Sequence, residues 1–132
     1  MRKHLQRFGN RFVIGLLRSP LHRLASGSLL LITYRGRSSG RGFTLPVMYA
    51  EREETLTIFV AHPEQKRWWR NLHGGAKVEV RLRGRRLRGQ AEVVEDSSAV
   101  ETYLDRYPRA HTAIESTEPP TFVRVAALTP GS

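Results

Sequence analysis

The chain contains no cysteine among its 132 residues. Disulfide bonds, thiolate metal sites and a cysteine nucleophile are therefore excluded. Long hydrophobic runs are also missing: the longest, such as residues 12–17 and 29–32, are far shorter than the ~20 residues of a membrane-spanning helix. The basic N-terminus lacks the long apolar core and the cleavage site of a typical signal peptide. We expect one folded domain with its own core, located in the cytoplasm.

Acidic residues are absent from the first 50 positions, where nine lysines and arginines occur. Residues 51–89 carry ten cations and five acids, and residues 90–132 carry three and seven. The net charge of +10 is therefore concentrated before residue 90. Such asymmetry favours a polyanionic partner: a phosphorylated cofactor, a nucleic acid or an anionic membrane. The alternative is charge that only keeps the protein soluble.

The familiar catalytic sets are missing as well. The sequence has no Ser-His-Asp order, no HExxH motif and no paired-carboxylate pattern, and its five histidines are not spaced as metal ligands. We therefore expect no metal site. The absence of an acid–base set favours chemistry that a cofactor supplies, or binding without chemistry.

The N-terminal segment, residues 1–27, is predicted to contain an amphipathic helix over residues 3–17. Leu5, Phe8 and Phe12 recur on one side of that helix, and cations gather on the other. Such a helix either packs on its own domain or lies on an anionic membrane surface, which would place the protein on the inner face of the plasma membrane.

Residues 28–132 are predicted to form a mainly β domain of the α+β class. A capping box at Ser98 begins a helix that ends at Tyr107, and residues 64–73 form a second short helix. Alternating and apolar runs predict six strands, at residues 28–35, 44–51, 55–61, 77–82, 86–95 and 121–128. Short connections between them favour a small six-stranded antiparallel barrel with short peripheral helices.

A basic loop follows the first predicted strand, and a tryptophan pair follows the third. The loop reads RGRSSGRG over residues 35–42, and the pair lies in KRWWRNL over residues 66–72. Glycines let backbone amides approach an anion, and arginines add charge-assisted hydrogen bonds. Trp68 and Trp69 point about 100° apart on a helix, so one packs in the core and the other lines a ligand pocket. A ligand with an anionic group and a flat ring is typical of a nucleotide-like or flavin-like cofactor. The alternative is that residues 35–42 form a polar loop that binds no ligand.

The order of these pieces resembles the deazaflavin-dependent nitroreductase family, which has the split β-barrel fold of flavin-binding oxidoreductases. The residues that carry the resemblance are GRSSGRGFTLP at 36–46 and WWRNL at 68–72, and it extends over residues 29–94. The resemblance implies coenzyme F420, a deazaflavin that carries a phosphate and an oligoglutamate tail; FMN and haem are the alternative cofactors in this fold. The binding residues that it implies are Arg37, Ser38, Ser39, Gly40 and Arg41 for the phosphate and tail, Phe43, Thr44, Leu45, Pro46, Val47 and Met48 along the ring, and Val60, Ala61, His62, Lys66, Arg67, Trp68 and Asn71 around it.

The resemblance also implies an activity. Reduced F420 would pass a hydride to a small hydrophobic, electron-poor acceptor such as an enone, a quinone or a nitro compound. A non-catalytic split barrel at the membrane surface that binds lipid, haem or FMN is the alternative. A homodimer is a candidate assembly. Nucleic acid is not expected, because the strands at 77–82 and 86–95 offer cations without stacking aromatic residues.

Overall fold

The computed structural model describes residues 27–131, so the helix predicted at residues 3–17 lies outside the described residues. Seven antiparallel strands form one curled sheet in the order β2-β1-β5-β6-β7-β4-β3. The strands are β1 (Leu29–Arg35), β2 (Gly42–Met48), β3 (Ala50–Arg52), β4 (Thr55–Val60), β5 (Ala76–Leu82), β6 (Arg85–Val94) and β7 (Thr121–Pro130). The antiparallel split-barrel class is confirmed, with seven strands instead of six.

The extra strand arises because the predicted strand at residues 44–51 is interrupted at Tyr49. β2 pairs with β1, whereas β3 pairs with β4, so the chain changes neighbours between them. Tyr49 is only 3% exposed, and its amide donates to the Ser28 carbonyl at 3.0 Å. An apolar run conceals this break, since both of its halves are apolar.

The predicted helix at residues 64–73 is wrong. Two 3-10 turns occupy this stretch, Pro63–Gln65 and Trp68–Leu72, and Lys66 between them is extended (φ −120°, ψ 144°). His62 precedes them in the left-handed region, with φ 51°. The predicted capping box is wrong as well: α1 (Ser97–Arg106) is capped by Asp96, whose carboxylate accepts from the Ala99 amide at 2.9 Å.

Apolar side chains from alternate strand positions fill the barrel. Leu30 and Ile32 of β1 meet Val80 of β5 and Val125 of β7, all at or near 0% exposure. A smaller cluster around Phe122 lies beneath α1 and α2 (His111–Glu115). None of the helices in residues 27–131 is long and apolar enough to cross a membrane.

Asp96→Ala is expected to lower the free energy of unfolding by about 1 kcal/mol near pH 7, because the helix loses its cap. The hydrogen bond from Arg124, then the one from the Ala99 amide, lowers the pKa of Asp96. A depressed folded pKa gives stability that is present above the unfolded pKa and is lost as pH falls through the folded value. Urea unfolding of both proteins at about pH 7 and about pH 2 measures this. A difference that does not change with pH would contradict the assignment, and Asp96→Asn, which keeps an acceptor, should lose less.

Candidate functional site

The loop between β1 and β2, residues 36–41 and here called the glycine loop, is folded tightly by its own hydrogen bonds. The Gly36 amide donates to the Arg41 carbonyl at 2.9 Å, and the Gly40 amide donates to the Gly36 carbonyl at 2.8 Å. Gly40 has φ +70°, which side chains disfavour. A Cβ at Gly36 would lie 2.9 Å from Ser39 Oγ and 3.1 Å from the Phe43 ring. The glycines at 36 and 40 therefore allow the loop its shape.

Asn71 joins the glycine loop to the 3-10 turn Trp68–Leu72, here called the tryptophan turn. Its Oδ1 accepts from the Arg37 amide at 3.0 Å, and its carbonyl accepts from Arg37 Nε at 3.2 Å. Its Nδ2 donates to the carbonyls of Arg67 and Trp68, each at 3.2 Å. One side chain thus fixes two segments that are 34 positions apart. The two sequence motifs form a single structural unit.

An aromatic row lies beside this unit. Tyr34 stacks on Phe43 with ring centroids 5.5 Å apart, and its other neighbour is Trp68 at 6.4 Å. The Arg41 guanidinium lies 5.8 Å from the Phe43 ring centroid. Phe43 is 40% exposed, which is unusual for so large an apolar side chain. A cationic loop next to a partly open aromatic surface fits a ligand that combines an anion with a flat ring.

The two tryptophans have different roles. Trp69 Nε1 donates to the Pro63 carbonyl at 2.9 Å, which ties one 3-10 turn to the other. Trp68 instead continues the aromatic row, and both rings are half-buried against the barrel core. Trp68 is therefore the tryptophan that the structure places beside the glycine loop.

The six predicted residues of β2 do not share one face. β2 is an edge strand, and its alternate side chains point to opposite sides. Leu45 and Val47 pack against the core, whereas Met48 is 45% exposed. One face carries Phe43, Leu45 and Val47, and the other carries Thr44, Pro46 and Met48. A ligand on one side of β2 meets at most three of these six side chains.

The predicted residues after β4 are also divided. Val60 is 1% exposed and belongs to the core, and Ala61 is half-buried. The His62 side chain is 72% exposed, with Nδ1 4.0 Å from Glu64 Oε1. Lys66 is half-buried, and this burial lowers the pKa of its ammonium group, an effect that Glu64 partly opposes. An anion bound near Lys66 would remove part of that penalty.

The cations of the glycine loop are not neutralised by acids of the described residues. Arg52, Arg83, Arg86 and Arg124 form ion pairs within residues 27–131. Arg37 and Arg41 are not among them. The exposed hydroxyls of Ser38 and Ser39 add short polar groups to the same loop. This donor set is suited to a phosphate or carboxylate.

One residue near the site was not predicted to bind a ligand: Tyr34, which lies between Phe43 and Trp68 in the aromatic row. Arg35, which the sequence placed in the anion-binding loop, donates from Nη1 to the Gly40 carbonyl at 3.0 Å. The signal for Tyr34 was available in part, because it lies near the end of the strand that leads into the loop. The contact of Tyr34 with Trp68 required the fold.

A cleft in the described part of the chain lies next to the glycine loop, not in it. Its volume is about 890 Å³. None of the eighteen predicted cofactor residues lines it. Its walls come from four strands, β1, β5, β6 and β7, together with Gly42 of β2. The lining residues are Thr33, Tyr34, Arg35, Gly42, Ala76, Lys77, Val78, Glu79, Arg88, Gly89, Gln90, Ala127 and Thr129.

Comparison with known proteins gives a family and a fold. The family model described as F420H(2)-dependent quinone reductase matches residues 17–117. No curated protein sequence matches the chain. A solved F420-H2 dependent reductase (FDR-A) is similar, with a TM-score of 0.64, 19% identity, and 74% of this chain and 93% of that chain covered.

Two further solved structures share the fold. One is a domain-swapped dimer, with a TM-score of 0.62 and 18% identity over 74% of this chain and 79% of the other. The other is HutZ, a haem storage protein from Vibrio cholerae, with a TM-score of 0.57 and 14% identity over 87% and 91% of the two chains. Identities this low establish the split-barrel fold alone.

Proposed function

The chain belongs to the F420H(2)-dependent quinone reductase family, and from this premise we propose which residues hold the cofactor and which acceptors are reduced. The protein is an F420H2-dependent reductase. Reduced F420, when bound, supplies a hydride. The acceptors that we propose are small, hydrophobic and electron-poor: quinones, enones or nitro compounds.

The observation that carries the cofactor assignment is the connection through Asn71. It holds the Arg37 backbone and side chain against the tryptophan turn, so the cations and Trp68 are in fixed relation before any ligand arrives. Preorganised donors lower the ordering cost of binding. The site therefore fits a ligand whose anionic part and flat part must be held together.

We assign the phosphate to the glycine loop, with Arg37, Ser38, Ser39, Gly40 and Arg41 as its donors. The deazaflavin ring is assigned to the aromatic surface of Phe43 and Trp68. Of the other predicted residues, Leu45 and Val47 share the β2 face of Phe43, and Asn71 holds the tryptophan turn against the glycine loop. The chain's own contribution is then to orient the ring, exclude water from one side of it and leave the other side open.

The wild-type protein is expected to bind F420 more tightly than FMN or haem, with affinity that falls as salt rises, because Arg37 and Arg41 meet a polyanion. Arg37→Ala should weaken F420 binding about 10-fold through loss of a charge-assisted bond. Parallel titrations with the three cofactors, followed by tryptophan and cofactor spectra, measure this. Arg109→Ala, an exposed cation outside the site, is the matched control. Equal affinity for F420 and FMN that is insensitive to salt and to Arg37→Ala would refute the assignment.

A haem- or FMN-binding protein is the second candidate, favoured by the fold that the chain shares with HutZ. The same titrations distinguish the two candidates, because tight haem binding with weak F420 binding would favour the haem-binding protein.

The domain-swapped relative favours a homodimer, which sedimentation of the full chain would detect. Attachment of residues 3–17 to an anionic membrane stays a prediction.

A further inference from the structure

We propose that a small cavity on the sheet face opposite the barrel core binds one monatomic anion of the size of chloride. The volume of this cavity, here called the arginine pocket, is about 30 Å³. It lies outside the glycine loop and the tryptophan turn, and the proposal does not depend on the proposed function. The residues that line it are Leu31, Thr33, Thr44, Glu79, Arg81 and Arg86.

Strand register brings the lining side chains to one face of the sheet, in two neighbouring rows. In the first row Thr33 lies opposite both Thr44 and Glu79. In the second row Arg81 lies opposite Arg86. The rows are two positions apart along β5 and point the same way, because side chains alternate between the two faces of a strand. The positions between them supply the core residues of β1 and β5.

Arg81 is the reason to expect an anion. Its Nε is buried and has no hydrogen-bond partner within the described residues. Arg81 also takes part in none of the ion pairs formed within residues 27–131. A guanidinium group stays charged at any pH at which the protein is folded. A buried donor without an acceptor and a charge without a counter-ion both destabilise a fold. An anion removes both costs, whereas a water molecule removes only the first.

The other charges around the pocket do not compensate Arg81. The Glu79 carboxylate accepts from Arg86 Nη2 at 2.9 Å, so it neutralises that arginine. Arg81 and Arg86 are direct cross-strand neighbours, and like charges in that position repel each other. Two arginines against one glutamate leave one positive charge at the pocket. The net charge of +10 on the whole chain adds to the attraction for an anion.

Hydroxyl groups supply a second kind of donor. Thr33 Oγ1 and Thr44 Oγ1 lie 2.8 Å apart and share one hydrogen bond. Only one hydrogen can lie between the two oxygens, so the hydroxyl that accepts keeps its own hydrogen for a further acceptor. Leu31, which is 2% exposed, forms an apolar wall beside them. Such a wall keeps water away and strengthens the attraction between Arg81 and an anion.

The size of the arginine pocket selects the class of anion. A volume of about 30 Å³ is roughly that of one water molecule in the liquid. A phosphate or a carboxylate does not fit into it, and their several oxygens would approach the carboxylate of Glu79. A single spherical ion can instead sit on the Arg81 side of the pocket. The site therefore differs in ligand class from the glycine loop, to which a phosphate was assigned.

The first test compares thermal unfolding of the full-length protein in sodium chloride and in sodium gluconate at equal concentration. Gluconate screens charges equally but is too large for the pocket. Chloride is expected to raise the unfolding midpoint of the wild type by about 3–5 °C, because it binds the folded state alone. Arg81→Gln should abolish this difference. Arg85→Gln is the matched control, since Arg85 is an exposed cation of β6 that does not line the pocket.

The second test measures binding directly, through the broadening of the chloride NMR signal by the protein. Bromide should compete with chloride and gluconate should not. Replacing both threonines, Thr33→Val with Thr44→Val, keeps their shape but removes the hydroxyls, and is expected to weaken chloride binding about 5-fold. This variant retains Arg81, so the test does not require Arg81→Gln to fold.

The outcomes distinguish an anion from the alternatives. Loss of the chloride effect in Arg81→Gln, with its retention in Arg85→Gln, supports the arginine pocket. Equal stability of the wild type in the two salts shows that water satisfies Arg81, and overturns the proposal. A chloride effect that persists in Arg81→Gln, or a chloride affinity unchanged in the double valine variant, places the ion elsewhere and overturns it as well.

Discussion

Replacing Asn71 with alanine is expected to weaken F420 binding about 10- to 100-fold and to lower the free energy of unfolding by about 1–3 kcal/mol. The variant loses an acceptor for the Arg37 amide and two donated bonds to the carbonyls of Arg67 and Trp68. The glycine loop would then sample other positions, so its cations must be ordered again when the ligand binds. Isothermal titration and urea unfolding measure the two effects.

Asn71→Asp is the matched control, because it separates geometry from charge. A carboxylate keeps the acceptor for the Arg37 amide but cannot donate to Arg67 and Trp68, and it adds a negative charge beside the glycine loop. Its loss of affinity should therefore shrink as salt rises, whereas the loss in Asn71→Ala should not. Wild-type affinity in the alanine variant would show that Asn71 does not preorganise the site.

The sequence alone identified both halves of this unit but not the bond that joins them. The loop was recognisable because its glycines and arginines directly follow an apolar strand, and the tryptophan turn because of its composition. The Arg37–Asn71 contact spans 34 positions, and local periodicity carries no information at that distance. Tyr34 was missed for the same reason, since its ring position depends on Trp68 from a distant segment.

Strand positions could be predicted more reliably than breaks within strands. Clean alternation placed β5 within one residue, because period two fixes which side chains are buried. The interruption at Tyr49 was hidden, since pairing with β1 and pairing with β4 require the same apolar residues. The prediction of a short helix at residues 64–73 was wrong because Lys66 adopts an extended backbone, which its helix propensity does not indicate. Asp96 caps α1 because it lies one residue before the helix begins.

The cleft between β1, β5, β6 and β7 is the clearest case of a feature that the sequence could not predict. Alternation shows that Lys77 and Glu79 face away from the core, but not which residues lie beside them. The register pairs Glu79 with both Thr33 and Arg88, and this pairing gathers cations from three strands. The asymmetry of charge along the chain favoured a polyanionic partner, with charge for solubility as the alternative. Only the register shows which of these charged side chains are neighbours.

Gly89→Ala is expected to destabilise the protein by about 3 kcal/mol, because the new methyl group has no space. A Cβ at Gly89 would lie 2.7 Å from Val125 Cγ1 and 3.0 Å from both the Ala126 carbonyl oxygen and Leu128 Cδ2. The carbonyl is part of β7 next to its bulge and cannot rotate away as a side chain can. The strand must shift instead, and a well-packed interior resists that shift.

Gly42→Ala is the control for this prediction, since a Cβ at Gly42 meets nothing within 4 Å among the described residues. Its stability should stay within about 0.5 kcal/mol of the wild type. Urea unfolding of the three proteins gives the comparison, and equal stability of the two alanine variants would contradict the close approach of β6 and β7.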